Sequence, residues 1–150
     1  MPEWGQRKQA ERLLNSVGKQ VDAMPYNSLY LRIKISLMNL YHNRIQFAKP
    51  ESEREKWMGQ ADMVGNEIDA ILVSADYSKY RYTYEILKSR INIYRINSAM
   101  DVNILMDCKM KLQQIADGTK NGNVILYKAA EEMVDEYEEA IKWLLDQQSQ

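Results

Sequence analysis

The chain has few of the residues that build turns, cross-link a fold or bind metals. Its 150 residues include three prolines, six glycines, one cysteine and one histidine. So little proline and glycine disfavours many short strands and favours a few long helices. The single cysteine, Cys108, excludes an internal disulfide and indicates a reducing compartment. The single histidine, His42, excludes a metal site built from several histidines.

The sequence also lacks the apolar stretches that membrane and targeting segments require. No apolar run approaches the roughly 20 residues that span a bilayer, and the first residues lack the apolar core of a signal peptide. The net charge of −1 gives no overall signature of polyanion binding. With 45% hydrophobic residues, the chain can bury a real core. We therefore expect one cytoplasmic (intracellular) domain over residues 1–150, with no membrane partner.

The most informative pattern that is present is a run of residues spaced three and four apart, from Tyr77 to Ile115. This alternation places side chains along one seam of an α-helix. A continuous helix over about 77–116 would be roughly 58 Å long, too long for a small domain to bury alone. It therefore predicts a long bundle, a partner chain, or both. The seam residues expected in the core or in a contact between molecules are Tyr84, Leu87, Ile91, Tyr94, Leu105, Cys108 and Leu112.

Two polar residues, Ser98 and Asp101, interrupt this seam. Serine followed three residues later by an acid has the form of a capping box, which would start a new helix at this point. However, no glycine or proline lies there, and the seam keeps its phase across the interruption. We therefore favour one continuous helix, with a break near Ser98 as the alternative.

Four further segments have helical spacing, and we expect helices over about 3–23, 28–48, 51–75 and 123–147. Residues 29–37 alternate as a strand does, but apolar residues continue beyond them at helical spacing and no second clean strand is present. We favour a buried central helix there. The fold class expected is all-α: an elongated antiparallel helical bundle of four to five helices with one long coiled-coil-like helix, about 77–116.

Charge alternates along the chain. Residues 26–50 carry +4 and residues 77–117 carry +3, whereas residues 51–76 carry −5 and residues 118–150 carry −4. The favoured interpretation is that basic helices pack beside acidic ones. The alternative is that a basic surface, with tyrosines that stack on bases, faces outward and binds a polyanion. The candidate polyanion-binding residues are Arg81, Lys88, Arg90, Arg95, Arg32 and Lys34, of which three repeat every seven residues.

No residues are arranged as a catalytic or cofactor site. Cys108 follows Asp107, and a seam cysteine beside an acid has no cause for a lowered pKa. The glycines around Thr119 lack the order of a phosphate-binding loop. The nine methionines either fill gaps in the core, which we favour, or form adaptable contact surfaces. We expect no enzyme, metal, cofactor or small-molecule substrate.

These patterns predict a non-enzymatic helical assembly or adaptor protein that acts through helix–helix contacts. The expected partner is itself, in a homo-oligomer, or another helical protein. The alternative is a nucleic-acid-binding accessory protein that uses the basic stripe on the long helix. A second alternative is an effector or inhibitor that docks on a single protein partner. The pattern is similar in general to that of small helical oligomerising proteins of phages and mobile elements.

Overall fold

Every regular element is helical in a computed structural model, which describes residues 7–15, 28–74 and 78–150. The elements are α1 (within residues 7–15), α2 (Ser28–Phe47), α3 (Glu51–Ser74), α4 (Ser78–Asn92), a 3-10 turn (Ile93–Arg95), α5 (Val102–Thr119) and α6 (Val124–Gln148). The all-α prediction is confirmed, and residues 29–37 form a helix rather than a strand. The predicted first helix, residues 3–23, lies partly outside the described residues.

The chain divides into two compact units, a first unit (Met1–Arg81) and a second unit (Tyr82–Gln150). The boundary between them lies within α4. The single domain over residues 1–150 and its elongated shape stay predictions.

In the first unit, α2 and α3 form an antiparallel pair. Near the start of α2, Lys34 Nζ lies 2.7 Å from Glu67 Oε2, at the far end of α3. Near the end of α2, the ring of Tyr41 stacks on Trp57, with 5.7 Å between ring centroids. The connection between the two helices covers only residues 48–50, and so short a connection makes neighbouring helices antiparallel. Pro50 immediately precedes α3 and fits the start of a helix.

Helix α1 packs antiparallel to the second half of α2. Glu11 Oε2 lies 2.7 Å from Arg44 Nη2, and the guanidinium of Arg7 lies over the ring of Phe47. The guanidinium of Arg44 also lies 4.3 Å from the ring centroid of Trp57, so this side chain contacts both neighbouring helices. The side chains of Glu11 and Arg44 are only 19% and 10% exposed, so the cost of removing both charges from water offsets much of their attraction. We infer that the pair determines which faces of α1 and α2 pack together and adds little to the free energy of unfolding.

In the second unit, α5 and α6 form an antiparallel hairpin. Lys109 Nζ lies 3.0 Å from Glu138 Oε1, and Gln148 at the end of α6 donates to the carbonyl of Met100, just before α5, at 2.7 Å. The side chain of Asn123 accepts from the backbone N–H of Leu126 and caps α6. The core of this unit consists of Ile86, Leu105, Leu112, Ile115, Ala116, Ala130, Met133, Tyr137 and Leu144.

The prediction of one continuous helix over about 77–116 is wrong. Helix α4 ends at Asn92, a 3-10 turn follows, and α5 begins only at Val102. The predicted capping box is also wrong in its assignment. Asp101, rather than Ser98, is the N-cap, and its carboxylate accepts from the backbone N–H of Asn103 at 2.9 Å.

Short polar side chains explain why the helix stops without glycine or proline. Asn97 Oδ1 accepts from the backbone N–H of Ala99 at 2.9 Å, a local bond that competes with the helical hydrogen bond. Asp101 then supplies a capping acceptor for the next helix. The carbonyl of Met100 accepts from the side chain of Gln148 of α6. These local and long-range bonds outweigh the unbroken spacing of the apolar residues.

We expect Asp101→Ala to lower the free energy of unfolding by about 1 kcal/mol, because the first turn of α5 loses its side-chain acceptor. The measurement is urea unfolding followed by circular dichroism. Asp101→Asn is the matched control and should retain most of the stability, since asparagine caps about as well as aspartate. An alanine variant as stable as the unmodified protein would contradict this role of Asp101.

Candidate functional site

Most of the predicted seam residues lie in the buried interior of the protein. Five of them, Tyr84, Leu87, Ile91, Leu105 and Leu112, are buried, whereas Tyr94 and Cys108 are half-buried. Leu105 and Leu112 pack in the core that α5 shares with α6. The side chains of Leu105 and Leu112 are therefore buried within one molecule. Exposed apolar residues of α5 and α6 lie on other faces of these helices. A role of the seam in contacts between molecules stays a prediction.

The candidate polyanion-binding residues differ widely in their surroundings. In the first unit, Arg81 donates to the carbonyl of Leu72 at 2.6 Å, Lys34 pairs with Glu67, and Arg32 is exposed. In the second unit, Lys88 Nζ lies 5.7 Å from the ring centroid of Tyr84, Arg95 Nη1 donates to Asn92 Oδ1, and Arg90 is half-buried. Because Arg95 lies in the 3-10 turn, beyond α4, it does not continue the seven-residue spacing of Arg81 and Lys88.

A cleft of about 230 Å³ lies between α4 and α5. Each helix contributes four residues spaced as one helical face, at positions i, i+3, i+4 and i+7. They are Glu85, Lys88, Ser89 and Asn92 from α4, and Cys108, Lys111, Leu112 and Ile115 from α5. The α4 side of the cleft is polar, whereas the α5 side combines Lys111 with the apolar side chains of Leu112 and Ile115 and the thiol of Cys108.

The two helices that form this cleft run antiparallel. The hydroxyl of Tyr82, early in α4, lies 3.1 Å from the position that a Cβ would take at Gly118, late in α5. Counting along both helices from this contact places Lys88 and Lys111 at about the same level. Glycine at 118 permits this close approach, since a larger side chain would meet the Tyr82 hydroxyl.

Behind the cleft, Tyr137 of α6 is tied to α4. Its hydroxyl donates to the carbonyl of Ser89 at 2.9 Å, and the Ser89 hydroxyl donates to the carbonyl of Ile86 at 2.6 Å. Burial raises the pKa of Tyr137, and the neighbouring Cys108 raises it further. Tyr137 is therefore a neutral hydrogen-bond donor that joins α6 to α4.

The Cys108 thiol is not activated for nucleophilic attack. Burial raises its pKa, Asp107 and Glu85 act in the same direction, and the ammonium groups of Lys111 and Lys88 oppose them. The net shift is upward, which lowers the fraction of reactive thiolate. This finding agrees with the expectation that Cys108 has no cause for a lowered pKa.

Helical spacing places a strip of partly exposed apolar residues on the side of the α5–α6 hairpin away from α4, and we name this strip the open groove. The register set by Lys109 and Glu138 places Met106 opposite Ile141 and Val102 opposite Leu145. Met106 and Leu145 are each 50% exposed, and Val102 and Ile141 are half-buried. Sequence reasoning missed this surface because it treated α5 as part of one seam. The available signal was the pair of methionines, Met106 and Met110, which lie off that seam.

No protein-family model, curated protein or solved structure matches this chain. Over residues 7–15, 28–74 and 78–150, no group of three histidine, cysteine or acidic side chains could hold a metal ion. Across the same residues, no helix has the length and apolar content needed to cross a membrane.

We expect Tyr137→Phe to lower the free energy of unfolding by about 1–2 kcal/mol, because it removes a buried hydrogen bond between α6 and α4. Tyr127→Phe is the matched control: its hydroxyl bonds to Glu131 on the same helix at 2.6 Å, in an exposed position. This control should change the stability much less. Equal losses in urea unfolding of the two variants would contradict the link through Tyr137.

The thiol of Cys108 should react with iodoacetamide more slowly than an unhindered thiol at pH 8. The physical reasons are its raised pKa and its half-buried position. Intact-protein mass spectrometry measures the rate, and the same protein in urea is the control, in which the reaction should reach the rate of a free cysteine. A folded protein that reacts as fast as the unfolded one would disprove the assigned environment.

Proposed function

We propose that the protein is a non-enzymatic helical assembly or adaptor protein that self-associates through the open groove of α5 and α6. The observation that carries the proposal is the two-sided geometry of this hairpin. One side packs against α4, through contacts such as Tyr82 with Gly118. The other side leaves Met106 and Leu145 half exposed. A further helix laid into that side would complete the usual packing of a helical bundle.

A second copy of the chain is the occupant that the charges favour. Lys109 and Glu138 lie 3.0 Å apart across the hairpin and form an ion pair, so they leave no net charge at this point of the groove. Two such surfaces can meet about a twofold axis, with the ion pair of each copy at the contact. Met106 and Leu145 would each gain up to about 1.5–3 kcal/mol from full burial. Methionine also adapts its shape to an opposing surface.

Nucleic-acid binding is the weaker alternative. Two of its six candidate residues, Lys34 and Arg81, already bind a carboxylate and a backbone carbonyl. Basic α2 also has an ion pair with acidic α3, as the favoured interpretation of the charge pattern expects. An intracellular location is part of the proposal, because a lone, half-buried Cys108 suits a reducing compartment.

The test is the solution mass by analytical ultracentrifugation at about 100 µM protein, where a dimer with a micromolar Kd is nearly fully formed. We expect a mass of at least twice the chain mass of 17.6 kDa. The double variant Met106→Glu, Leu145→Glu should sediment as a monomer, since each copy would bring two carboxylates into an apolar contact. Its helical circular dichroism should be unchanged, because both residues are half exposed.

Met63→Glu is the matched control, since Met63 is 61% exposed on α3 and lies outside the groove. This variant should keep the mass of the unmodified protein. An unmodified protein that is monomeric at the highest concentration would contradict self-association and favour the alternative of an effector that docks on another protein. An oligomer that survives the double variant would contradict the assignment to this groove.

A further inference from the structure

We propose that the turn between α4 and α5 is a hinge, and that two copies of the chain exchange their α5–α6 hairpins when it opens. In the open form, α4 and α5 join into one continuous helix, and the hairpin of each copy packs against α4 of the other. This exchange goes beyond the proposed self-association, because it uses the side of the hairpin that packs against α4 and leaves the open groove free.

The seam of apolar residues keeps its helical phase across the turn, although the helix itself stops there. Ile91 and Leu105, on either side of the turn, are buried. The steps from Ile91 to Leu105 are 3, 4, 3 and 4 residues, through Tyr94, Ser98 and Asp101. No glycine or proline lies in residues 93–101, so each of these residues can adopt helical backbone. A helix that continued through the turn would therefore carry both halves of the seam on one face.

Exposed polar hydrogen bonds hold the turn in its closed form. Asn97 Oδ1 accepts from the backbone N–H two residues further on at 2.9 Å, and the carboxylate of Asp101 makes the same kind of bond at 2.9 Å. The side chain of Gln148 in α6 donates to the carbonyl of Met100 at 2.7 Å. Because these bonds lie in exposed positions, water can replace them when the turn opens, so their net contribution to the closed form is modest.

Apolar contacts favour the closed form. Ile93, Ile96 and Met100 pack partly against the core of the second unit, and a straight helix would move them away from it. The closed monomer is therefore the form that we expect in dilute solution. An open chain regains a complete core only with a second copy, so the concentration during folding decides between the two forms.

Exchange rebuilds the contacts that opening breaks between α4 and the hairpin. They include Ile86 in the core, the hydrogen bond from Tyr137 to the carbonyl of Ser89, and the close approach of Tyr82 to Gly118. A second copy is the partner because it carries the identical α4 surface. The first unit lies before the hinge, so its own contacts stay within one copy. Since the shared core must open before the copies separate, the dimer should dissociate slowly after dilution.

The test measures the mass of the full chain after refolding. Met106→Glu and Leu145→Glu are present in every sample and block the open groove, so that a dimer has to arise from exchange. Each protein is unfolded in urea, refolded at about 100 µM, where mass action favours a dimer, and analysed by analytical ultracentrifugation. We expect the unmodified turn to give a monomer together with a fraction of dimer that persists after dilution.

Asn97→Ala combined with Asp101→Ala should raise the dimer fraction severalfold, because both local bonds are lost and alanine is the best helix former. Ser98→Pro is the matched control. Ser98 is the second residue of a turn in which the N–H of Met100 donates to the carbonyl of Asn97 at 3.2 Å, a position that favours proline. Because proline breaks a continuous helix, this variant should refold to a monomer.

Spin labels distinguish an exchanged dimer from any other dimer. One batch of the alanine variant carries Thr83→Cys on α4 and another carries Asp117→Cys on α5, both at exposed positions and both with Cys108→Ser. The two batches are unfolded, mixed and refolded together. Exchange packs α4 of one copy beside α5 of the other, with axes about 8–10 Å apart, so labels on different copies should lie within about 25 Å.

Three results would each overturn the proposal. The first is a protein with the unmodified turn that refolds only to a monomer. The second is a dimer fraction that does not fall in the order alanine variant, unmodified turn, Ser98→Pro. The third is a dimer whose labels on different copies lie farther apart than about 25 Å.

Two safeguards keep these results decisive. If the alanine variant loses its helical circular dichroism, the comparison of the unmodified turn with Ser98→Pro decides, and the labels are placed on the unmodified turn. Because every sample carries the blocked groove, none of these results bears on the proposed self-association, which is tested with the groove unmodified.

Discussion

The second unit depends on the interruption of the helix between Asn92 and Val102. If α4 and α5 were one straight helix, Glu85 and Ile115 would lie about 45 Å apart, yet the two residues line the same cleft. The cap at Asp101 and the local bond of Asn97 allow the chain to turn back at this point. With the turn in place, α4 can pack beside the α5–α6 hairpin and Tyr137 can reach the carbonyl of Ser89.

The same turn determines which surfaces stay available. A helical hairpin has two grooves, and α4 lies along one of them, where it encloses the cleft with its two lysines. The other groove keeps Met106 and Leu145 half exposed. The proposed self-association arises from this difference. The apolar residues of the open groove suit a second copy of the chain.

Sequence reasoning predicted the helices well where hydrophobic spacing and turn residues agreed. Pro50 marks the start of α3 and the apolar residues of α2 mark a buried helix, and both helices are present. It failed where these signals disagreed, between Asn92 and Val102. There the apolar residues keep their phase, and the decision depends on side-chain hydrogen bonds of Asn97 and Asp101. Spacing alone does not weigh such bonds against helix continuation.

The candidate sites were less predictable than the fold. On a straight helix Lys88 lies about 30 Å from Cys108 and still farther from Lys111, so no spacing argument brings the three residues to one cleft. Only the antiparallel packing of α4 and α5 does so. The partners of Lys34 and Arg81 were equally hidden, since Glu67 and the carbonyl of Leu72 reach them through tertiary packing. The alternation of charge along the chain did indicate that basic α2 has an acidic neighbour, α3.

The most direct test of the turn between α4 and α5 is a distance between these two helices. Thr83→Cys and Asp117→Cys, both exposed positions, are spin-labelled in a Cys108→Ser background and measured by double electron–electron resonance. Antiparallel packing, with axes about 8–10 Å apart, predicts a label separation below about 25 Å. A continuous helix would separate the two positions by about 51 Å, and a distance near that value would contradict the turn and the packing of α4 beside the α5–α6 hairpin.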